Sequence, residues 1–230
     1  MTGSAVSLPG ITRAGSKGLI SARYFRAPPL FVTKVDIFDF GSRSSEFFIF
    51  IFIFIFSLKR IIITGPESSG KTTLAQKLAL EFDTLFVPEY ARIYLASKGT
   101  EYELTDIVNI GIGQLALAES LASTMTEKPF VFIDTWILEL RIWAKYRFGV
   151  VPDVLEEMYH EHPPDFYVLC SPDLAWQPDP LRENPQDRDV LFEIYQNTII
   201  ESNVPHFVIS GTGERRDRRA FTLFRDWIAR

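Results

Sequence analysis

The chain has 230 residues, of which 47% are hydrophobic and 23% are charged, and its formal net charge at pH 7 is −5. This composition suits a globular protein with a sizeable core, and the length suits one domain or one domain with an appendage. Residues 58–230 hold most of the acidic groups, so a nucleic-acid partner, which is bound through Lys and Arg contacts to phosphates, is not expected. The single cysteine, Cys170, excludes an internal disulfide and fits a buried thiol in a reducing, cytoplasmic compartment.

The first 57 residues differ in character from the rest of the chain. Residues 1–45 are rich in Ser, Gly, Pro and Arg, and residues 47–56 alternate between Phe and Ile. That apolar run is shorter than the roughly 20 residues of a transmembrane helix, so no stable membrane span is expected. The favoured interpretation is a non-native extension from a wrongly assigned start, with translation beginning near Leu58. A disordered or targeting leader and a membrane-associating segment remain alternatives.

From residue 58 onward, short apolar runs alternate with longer helical patterns. Strands are predicted at 60–64, 85–88, 130–133, 166–170 and 206–210. Helices are predicted at 71–82, at 103–126 with a break near residues 111–113, through 143–148, at 187–202 and at 214–229. Strands separated by helices predict an α/β fold with a five-stranded parallel sheet covered by helices on both faces. We therefore expect one domain over residues 58–230.

The strongest motif directly follows the first predicted strand. Residues 65–72 match G-x-x-x-x-G-K-[ST] between a strand and a helix, which predicts a P-loop NTPase fold that binds ATP and Mg²⁺. The main-chain amides would hold the phosphates, Lys71 would reach the β- and γ-phosphates, and the Thr72 hydroxyl would ligate Mg²⁺. The predicted nucleotide-binding residues are Gly65, Pro66, Glu67, Ser68, Ser69, Gly70, Lys71, Thr72 and Thr73.

Two carboxylates follow other predicted strands. Asp134 ends the third strand, where an acid holds Mg²⁺ or serves catalysis in P-loop proteins; a helix N-cap is the alternative, and both roles are compatible. Glu89 follows the second strand and could accept the proton of an acceptor hydroxyl. Arg92, three residues later, could orient Glu89 or contact phosphate, unless the two form only an exposed ion pair.

The connection over residues 176–188 is long and rich in proline and charge, which is typical of a lid. Arg182 and Arg188 could offset the charge of a phosphoryl group in transfer, and a closed lid would exclude water. A solvated loop with paired charges is the alternative. The turn at residues 211–213 is a weaker candidate for packing against an adenine ring.

Several motifs together resemble a known family. The segments GPESSGKTTLAQKLA, VPEYARIYL, FIDTW, WAKYRFG, LCSPDLAWQPDPLRENPQDR and FVISGTGERRDRRA resemble the ribosylnicotinamide-kinase domain of NadR-type proteins. The resemblance implies a nucleoside or nucleoside-monophosphate kinase-like fold with a lid, and phosphorylation of nicotinamide riboside on its 5′-hydroxyl. It implies that Glu89 or Asp134 lies nearest that hydroxyl, that Arg182 and Arg188 belong to the lid, and that an aromatic ring stacks on the nicotinamide. The candidates for that ring are Trp136, Trp143 and Trp176.

The resemblance has departures, and other functions remain open. Residues 1–57 are too short for the additional domains of fused family members, and Trp136 stands where a second acid often follows the strand-end Asp in the family pattern. A nucleotide-dependent regulatory ATPase and a kinase of another nucleoside or nucleotide are the alternatives to a nicotinamide riboside kinase. The sequence leaves open whether Glu89 or Asp134 accepts the proton, and what the oligomeric state is.

Overall fold

Five parallel strands form the centre of the domain in the order β2-β3-β1-β4-β5. The computed structural model describes residues 58–99, 101–124 and 129–229. The strands are β1 (Lys59–Thr64), β2 (Phe86–Val87), β3 (Phe130–Asp134), β4 (Phe166–Cys170) and β5 (His206–Ile209). Because β1 lies between β3 and β4, the chain leaves β1 at the point where the strand order reverses, which is where open α/β sheets bind ligands.

Seven helices in the described part of the chain connect and cover these strands. They are α1 (Lys71–Glu81), α2 (Tyr90–Lys98), α3 (Leu104–Ala122), α4 (Ile137–Phe148), α5 (Asp153–Glu161), α6 (Arg188–Ser202) and α7 (Gly213–Ile228). All strand pairs are parallel, so the connections must cross over the sheet, and helices supply those crossovers.

The two faces of the sheet bury separate hydrophobic clusters. Along β1, Ile62 packs into the cluster shared with α2 to α6, while Ile61 and Ile63 pack into the cluster shared with α1 and α7. Residues of β3 and β4 are buried throughout, because a strand covered on both faces has no solvent side. The predicted α/β fold, with its five-stranded parallel sheet and helices on both faces, is confirmed.

The predicted break near residues 111–113 is wrong, since α3 runs without interruption from Leu104 to Ala122. The two glycines allow close packing of helices instead. A Cβ atom at Gly113 would lie 2.0 Å from the ring of Tyr90, and one at Gly111 would lie 3.2 Å from Leu140. Each glycine destabilises the helix by about 1 kcal/mol relative to alanine, and the close packing that it permits offsets this cost.

Helix α5 was not predicted from the sequence, and the predicted end of the 103–126 helix extends past the observed end of α3 at Ala122. The interpretations of residues 1–57 and of a start near Leu58 concern a segment outside the described residues. Within the described ranges, no helix combines the length and apolar character needed to cross a membrane.

Candidate functional site

A cavity of about 400 Å³ opens at the carboxyl ends of the strands. The loop after β1, Glu89 after β2, Thr135 after β3 and Leu174 after β4 all line it. The structure therefore brings together segments that are far apart in the chain, and the P-loop and Glu89 line the same cavity.

Residues 65–73, the predicted nucleotide-binding segment, all line this cavity. Ser68 and Gly70 have φ values of 56° and 78°, so the chain passes through left-handed conformations and turns its amides toward one side. Gly65 has a φ of 132°, and a Cβ there would lie 2.5 Å from the Cys170 carbonyl oxygen, so only glycine fits. Lys71 Nζ donates hydrogen bonds to the carbonyls of Gly65 (2.9 Å) and Pro66 (3.0 Å).

Asp134 ends β3 as a buried carboxylate beside the first turn of α1. Its Oδ2 accepts a 2.6 Å hydrogen bond from the Thr72 hydroxyl, while its Oδ1 has no hydrogen-bond partner among the described residues. Burial, reinforced by the nearby Glu89 carboxylate, raises the pKa of Asp134 to about 6, although Lys71 and Thr72 act in the opposite direction. An acidic oxygen without a partner next to a hydroxyl is the hard-oxygen donor set that Mg²⁺ prefers, so these residues fit that ion.

Glu89 is the N-cap of α2 and lines the cavity, partly exposed. Arg92 approaches Glu89 at 3.2 Å and also Asp179 of the lid segment at 3.0 Å. The contact with Glu89 fits both an orienting role and the i,i+3 ion pair considered for Arg92, and the contact with Asp179 adds a tie to the segment predicted as a lid.

An aromatic wall, formed by Tyr102, Trp143 and Tyr146, faces the P-loop across the cavity. The Trp143 indole N–H donates to the Tyr102 hydroxyl (2.8 Å), which donates to the Glu183 carboxylate (2.7 Å). The rings of Tyr102 and Trp143 are edge to face, with centroids 4.9 Å apart. Burial and the Glu183 carboxylate raise the pKa of Tyr102 to about 12, which keeps its hydroxyl a donor at neutral pH.

Of the three tryptophans proposed for stacking, Trp143 lines the main cavity, whereas Trp136 is part of the core. Trp136 is 2% exposed, and its indole N–H donates to the His162 carbonyl at 2.8 Å. It borders a second and much smaller cavity of about 30 Å³. Trp176 lines neither of these cavities. The stacking role considered for Trp136 is therefore replaced by a packing role.

The lid segment, residues 172–187, lies against the P-loop. The Glu67 carboxylate accepts the main-chain amides of Glu183 and Asn184, each at 3.0 Å. Arg182 lines the cavity, and its guanidinium donates to the Gln177 carbonyl at 2.5 Å. The carboxylate of Glu67, the second variable residue of the P-loop motif, therefore holds the segment that directly follows Arg182.

Arg188, predicted to act on the transferring phosphoryl group, does not line the main cavity. Its guanidinium donates to four main-chain carbonyls, those of Glu67, Ser68, Pro172 and Leu174. These bonds use the donors that a phosphate would need, so the side chain acts behind the P-loop in this conformation. Arg188 thus does not contact the cavity here, and its action on a transferring phosphoryl group stays a prediction.

Two buried charged residues near the site were not identified from the sequence. Glu139 is 7% exposed, and one of its oxygens accepts the Trp136 amide in a capping box while the other has no partner among the described residues. Burial raises the pKa of Glu139 to about 7. The second residue is Arg216 of α7, which is 6% exposed. The spacing of a capping box could have suggested Glu139, but the sequence offers no comparable signal for Arg216.

Comparisons with known proteins show which family and which fold the chain resembles. A family model described as an AAA domain matches residues 60–216. The trifunctional NAD biosynthesis/regulator protein NadR of Salmonella typhimurium is 29% identical over 148 residues, which cover 63% of this chain and 35% of that protein. The Escherichia coli protein of the same name matches with the same identity and coverage. The chain thus spans about a third of the length of these relatives.

Solved structures share the fold. A NadR protein in complex with NR has a TM-score of 0.64 at 18% identity, covering 76% of this chain and 53% of that one. A NadR protein with NAD and AMP-PNP also has a TM-score of 0.64, at 20% identity, covering 76% and 51%. A thymidylate kinase from Ehrlichia chaffeensis has a TM-score of 0.51 at 13% identity, covering 74% and 99%.

The resemblance to NadR-type proteins expected from the sequence motifs is confirmed by these matches. Since the family model spans more than half of the 230 residues, the chain belongs to the AAA-domain family, and its P-loop domain is of the NadR type.

Proposed function

We propose that this domain transfers the γ-phosphoryl group of ATP to a hydroxyl of a small nucleoside, with nicotinamide riboside as the favoured acceptor. The observation that carries the proposal is the single cavity that holds a phosphate-binding loop, a carboxylate and an aromatic wall together. A protein that only binds or hydrolyses a nucleotide needs neither an acceptor pocket nor a proton acceptor.

On the nucleotide side, the amides of the P-loop would hold the phosphates, and Lys71 would exchange its carbonyl bonds for phosphate oxygens. Thr72 and Asp134 would hold Mg²⁺, which when bound neutralises charge on the phosphate oxygens. Phosphoryl transfer depends mainly on positioning and electrostatic stabilisation, and these residues supply both.

On the acceptor side, we assign the proton-accepting role to Glu89 rather than Asp134. Asp134 is buried and its Oδ2 is occupied by the Thr72 hydroxyl, whereas Glu89 lies partly exposed on the cavity wall. Arg92, which contacts both Glu89 and Asp179, would keep the carboxylate in place as the lid segment closes over the cavity.

The aromatic wall supports a flat acceptor ring. Trp143 and Tyr102 line the cavity with aromatic rings, and a pyridinium ring carries the positive charge that such rings attract. Arg182 would offset charge that develops on the transferred group, and the lid segment would exclude water. Similarity to NadR proteins, one solved with NR and one with AMP-PNP, supports the same pair of ligands.

The test is incubation of the full chain with Mg-ATP and a panel of nucleosides, with ADP and phosphorylated products measured by mass spectrometry. Nicotinamide riboside is expected to give nicotinamide mononucleotide with one ADP per product. ADP release without any acceptor would indicate a regulatory ATPase instead. Phosphorylation of a deoxynucleoside but not of the pyridine nucleoside would indicate another nucleoside kinase. A fragment of residues 58–230 should match the full chain if the domain begins at Leu58.

A further inference from the structure

Arg216 places a buried cation directly behind the P-loop. It lies in the first turn of α7, is 6% exposed, and its Nη2 donates a 2.7 Å hydrogen bond to the Ser69 carbonyl. No carboxylate forms an ion pair with it among the described residues. Buried guanidinium groups are normally paired, so an unpaired one needs an explanation in terms of function.

Arg188 approaches the same loop from another element. At the start of α6, its Nε donates to the Glu67 carbonyl (3.1 Å) and its Nη2 to the Ser68 carbonyl (3.3 Å). Two arginines, separated by 28 residues, therefore hold three consecutive P-loop carbonyls, those of Glu67, Ser68 and Ser69.

The direction of these carbonyls determines the direction of the amides that follow them. In a trans peptide unit the C=O and the next N–H point in opposite directions. When the carbonyls of residues 67–69 point toward the two arginines, the amides of residues 68–70 point away from them, and this segment lines the cavity. Ser68 adopts a φ of 56°, a conformation that a non-glycine residue adopts only when its surroundings enforce it.

We propose that Arg216 and Arg188 are positioning residues that fix the P-loop carbonyls, so that three consecutive amides are aimed at a phosphate chain before it binds. Arg216 also contributes an uncompensated positive charge behind the loop, which strengthens the field that an anion meets there. The identity of the anion as a nucleotide rests on the proposed function; the preorganisation of the loop does not.

The proposal separates the effect on anion binding from the effect on stability. Burying a charge without a counter-ion costs free energy in the ligand-free protein, which offsets the hydrogen bond that Arg216→Met would lose. An arginine with a purely structural role would instead lower stability and leave the affinity of the remaining folded protein unchanged.

The experiment measures binding of inorganic tripolyphosphate and of Mg-ATP to the full chain by titration calorimetry, with thermal unfolding in the absence of ligand. The variants are Arg216→Met, Arg216→Lys and Arg188→Met, and Arg215→Met is the matched control, since Arg215 is the exposed neighbour on the same helix. We expect Arg216→Met and Arg188→Met to weaken both ligands by about tenfold or more. Arg216→Lys, which keeps a charged donor, should stay within about threefold, and Arg215→Met should match the wild type.

Wild-type affinity in Arg216→Met and in Arg188→Met would overturn the proposal. The proposal would also be overturned if the midpoint temperature of unfolding dropped strongly in both variants while the folded fraction bound tripolyphosphate with wild-type affinity. If Arg216→Met does not fold, Arg188→Met and Arg216→Lys decide. Tight tripolyphosphate binding without any phosphorylated nucleoside would reject the proposed kinase activity but leave this inference standing.

Discussion

The two halves of the cavity are built by different means. The P-loop half comes from nine consecutive residues, 65–73, and acts mainly through main-chain amides. The opposite half takes Glu89, Tyr102, Trp143 and Arg182 from separate segments and acts through side chains. Main-chain chemistry requires only a particular backbone path, which a short motif specifies, whereas side-chain chemistry requires the whole tertiary structure to bring distant residues together.

The two halves are also held in different ways. The main chain of the P-loop half is held by Arg188, by the buried Arg216 and by the close approach of Gly65 to Cys170. The opposite half is held by hydrogen bonds between side chains, such as those of Tyr102 with Trp143 and Glu183, which a single substitution can change. We expect substitutions in the first half to abolish transfer for every acceptor, and substitutions in the second half to change which acceptor is used.

The largest expected effect comes from the P-loop half. Lys71→Ala should lower turnover by about 10²-fold or more for every acceptor, because under the proposed function it removes the P-loop ammonium group that would reach the phosphates. Steady-state kinetics with each active nucleoside would measure this. Lys77→Ala, on the same helix but ion-paired with Asp217 at the surface, is the control and should remain active. Near-normal turnover of Lys71→Ala would contradict the assigned role.

The next effect concerns the proton acceptor in the other half. Glu89→Gln should lower kcat by about 10²-fold, with little change in the KM for ATP, since the amide cannot accept a proton but keeps the size of the side chain. Steady-state kinetics over a range of acceptor concentrations would measure this. Near-normal kcat in Glu89→Gln would contradict the assignment and leave Asp134 as the candidate.

A third prediction uses the buried acid beneath the aromatic wall. The folded-state pKa of Glu139, about 7, lies above its ordinary value of 4.5, so the folded protein keeps a proton that the unfolded chain loses. Stability that Glu139 supplies at low pH is therefore lost as the pH rises from about 4.5 to 7. Between pH 5 and pH 7 the free energy of unfolding should fall by about 2 kcal/mol from this residue.

Denaturant unfolding of the ligand-free protein at these two pH values would measure the loss. Asp134, with a pKa of about 6, contributes in the same direction, mostly below pH 6. Glu139→Gln keeps an acceptor for the Trp136 amide but cannot titrate, so its unfolding free energy should depend less on pH. An unchanged pH dependence in this variant would show that Glu139 titrates normally.

The smallest effect concerns the bond between the aromatic wall and the lid segment. Tyr102→Phe removes the hydroxyl that accepts from Trp143 and donates to Glu183. Both bonds are lost, but only the bond to Glu183 reaches the lid segment; at about 1 kcal/mol for that bond, the KM for the acceptor should rise about fivefold with the KM for ATP unchanged. An equal rise in both constants would indicate that the lid is coupled to the P-loop instead.

The P-loop half could be predicted from the sequence because its signal is local. The strand, the glycines and the helix start of residues 60–72 are contiguous, and the structure places all nine predicted residues along the cavity. The other half was predicted less well. Trp136 follows a strand end as a pocket residue would, but its ring enters the core, and Arg188 faces carbonyls rather than the cavity. Side-chain direction and distant carbonyl partners depend on packing that no local pattern encodes.

The contact between Gly113 and the Tyr90 ring has a consequence for how such a domain can diverge. The Tyr90 ring occupies the space that any larger side chain at position 113 would need, and Tyr90 directly follows Glu89. A larger side chain at position 113 would displace the Tyr90 ring, and with it the first turn of α2 and the Glu89 carboxylate would shift in the cavity. Gly113, which is only partly buried and does not line the cavity, thus sets the position of Glu89, and replacing it would change the geometry of the cavity without altering any side chain that lines it.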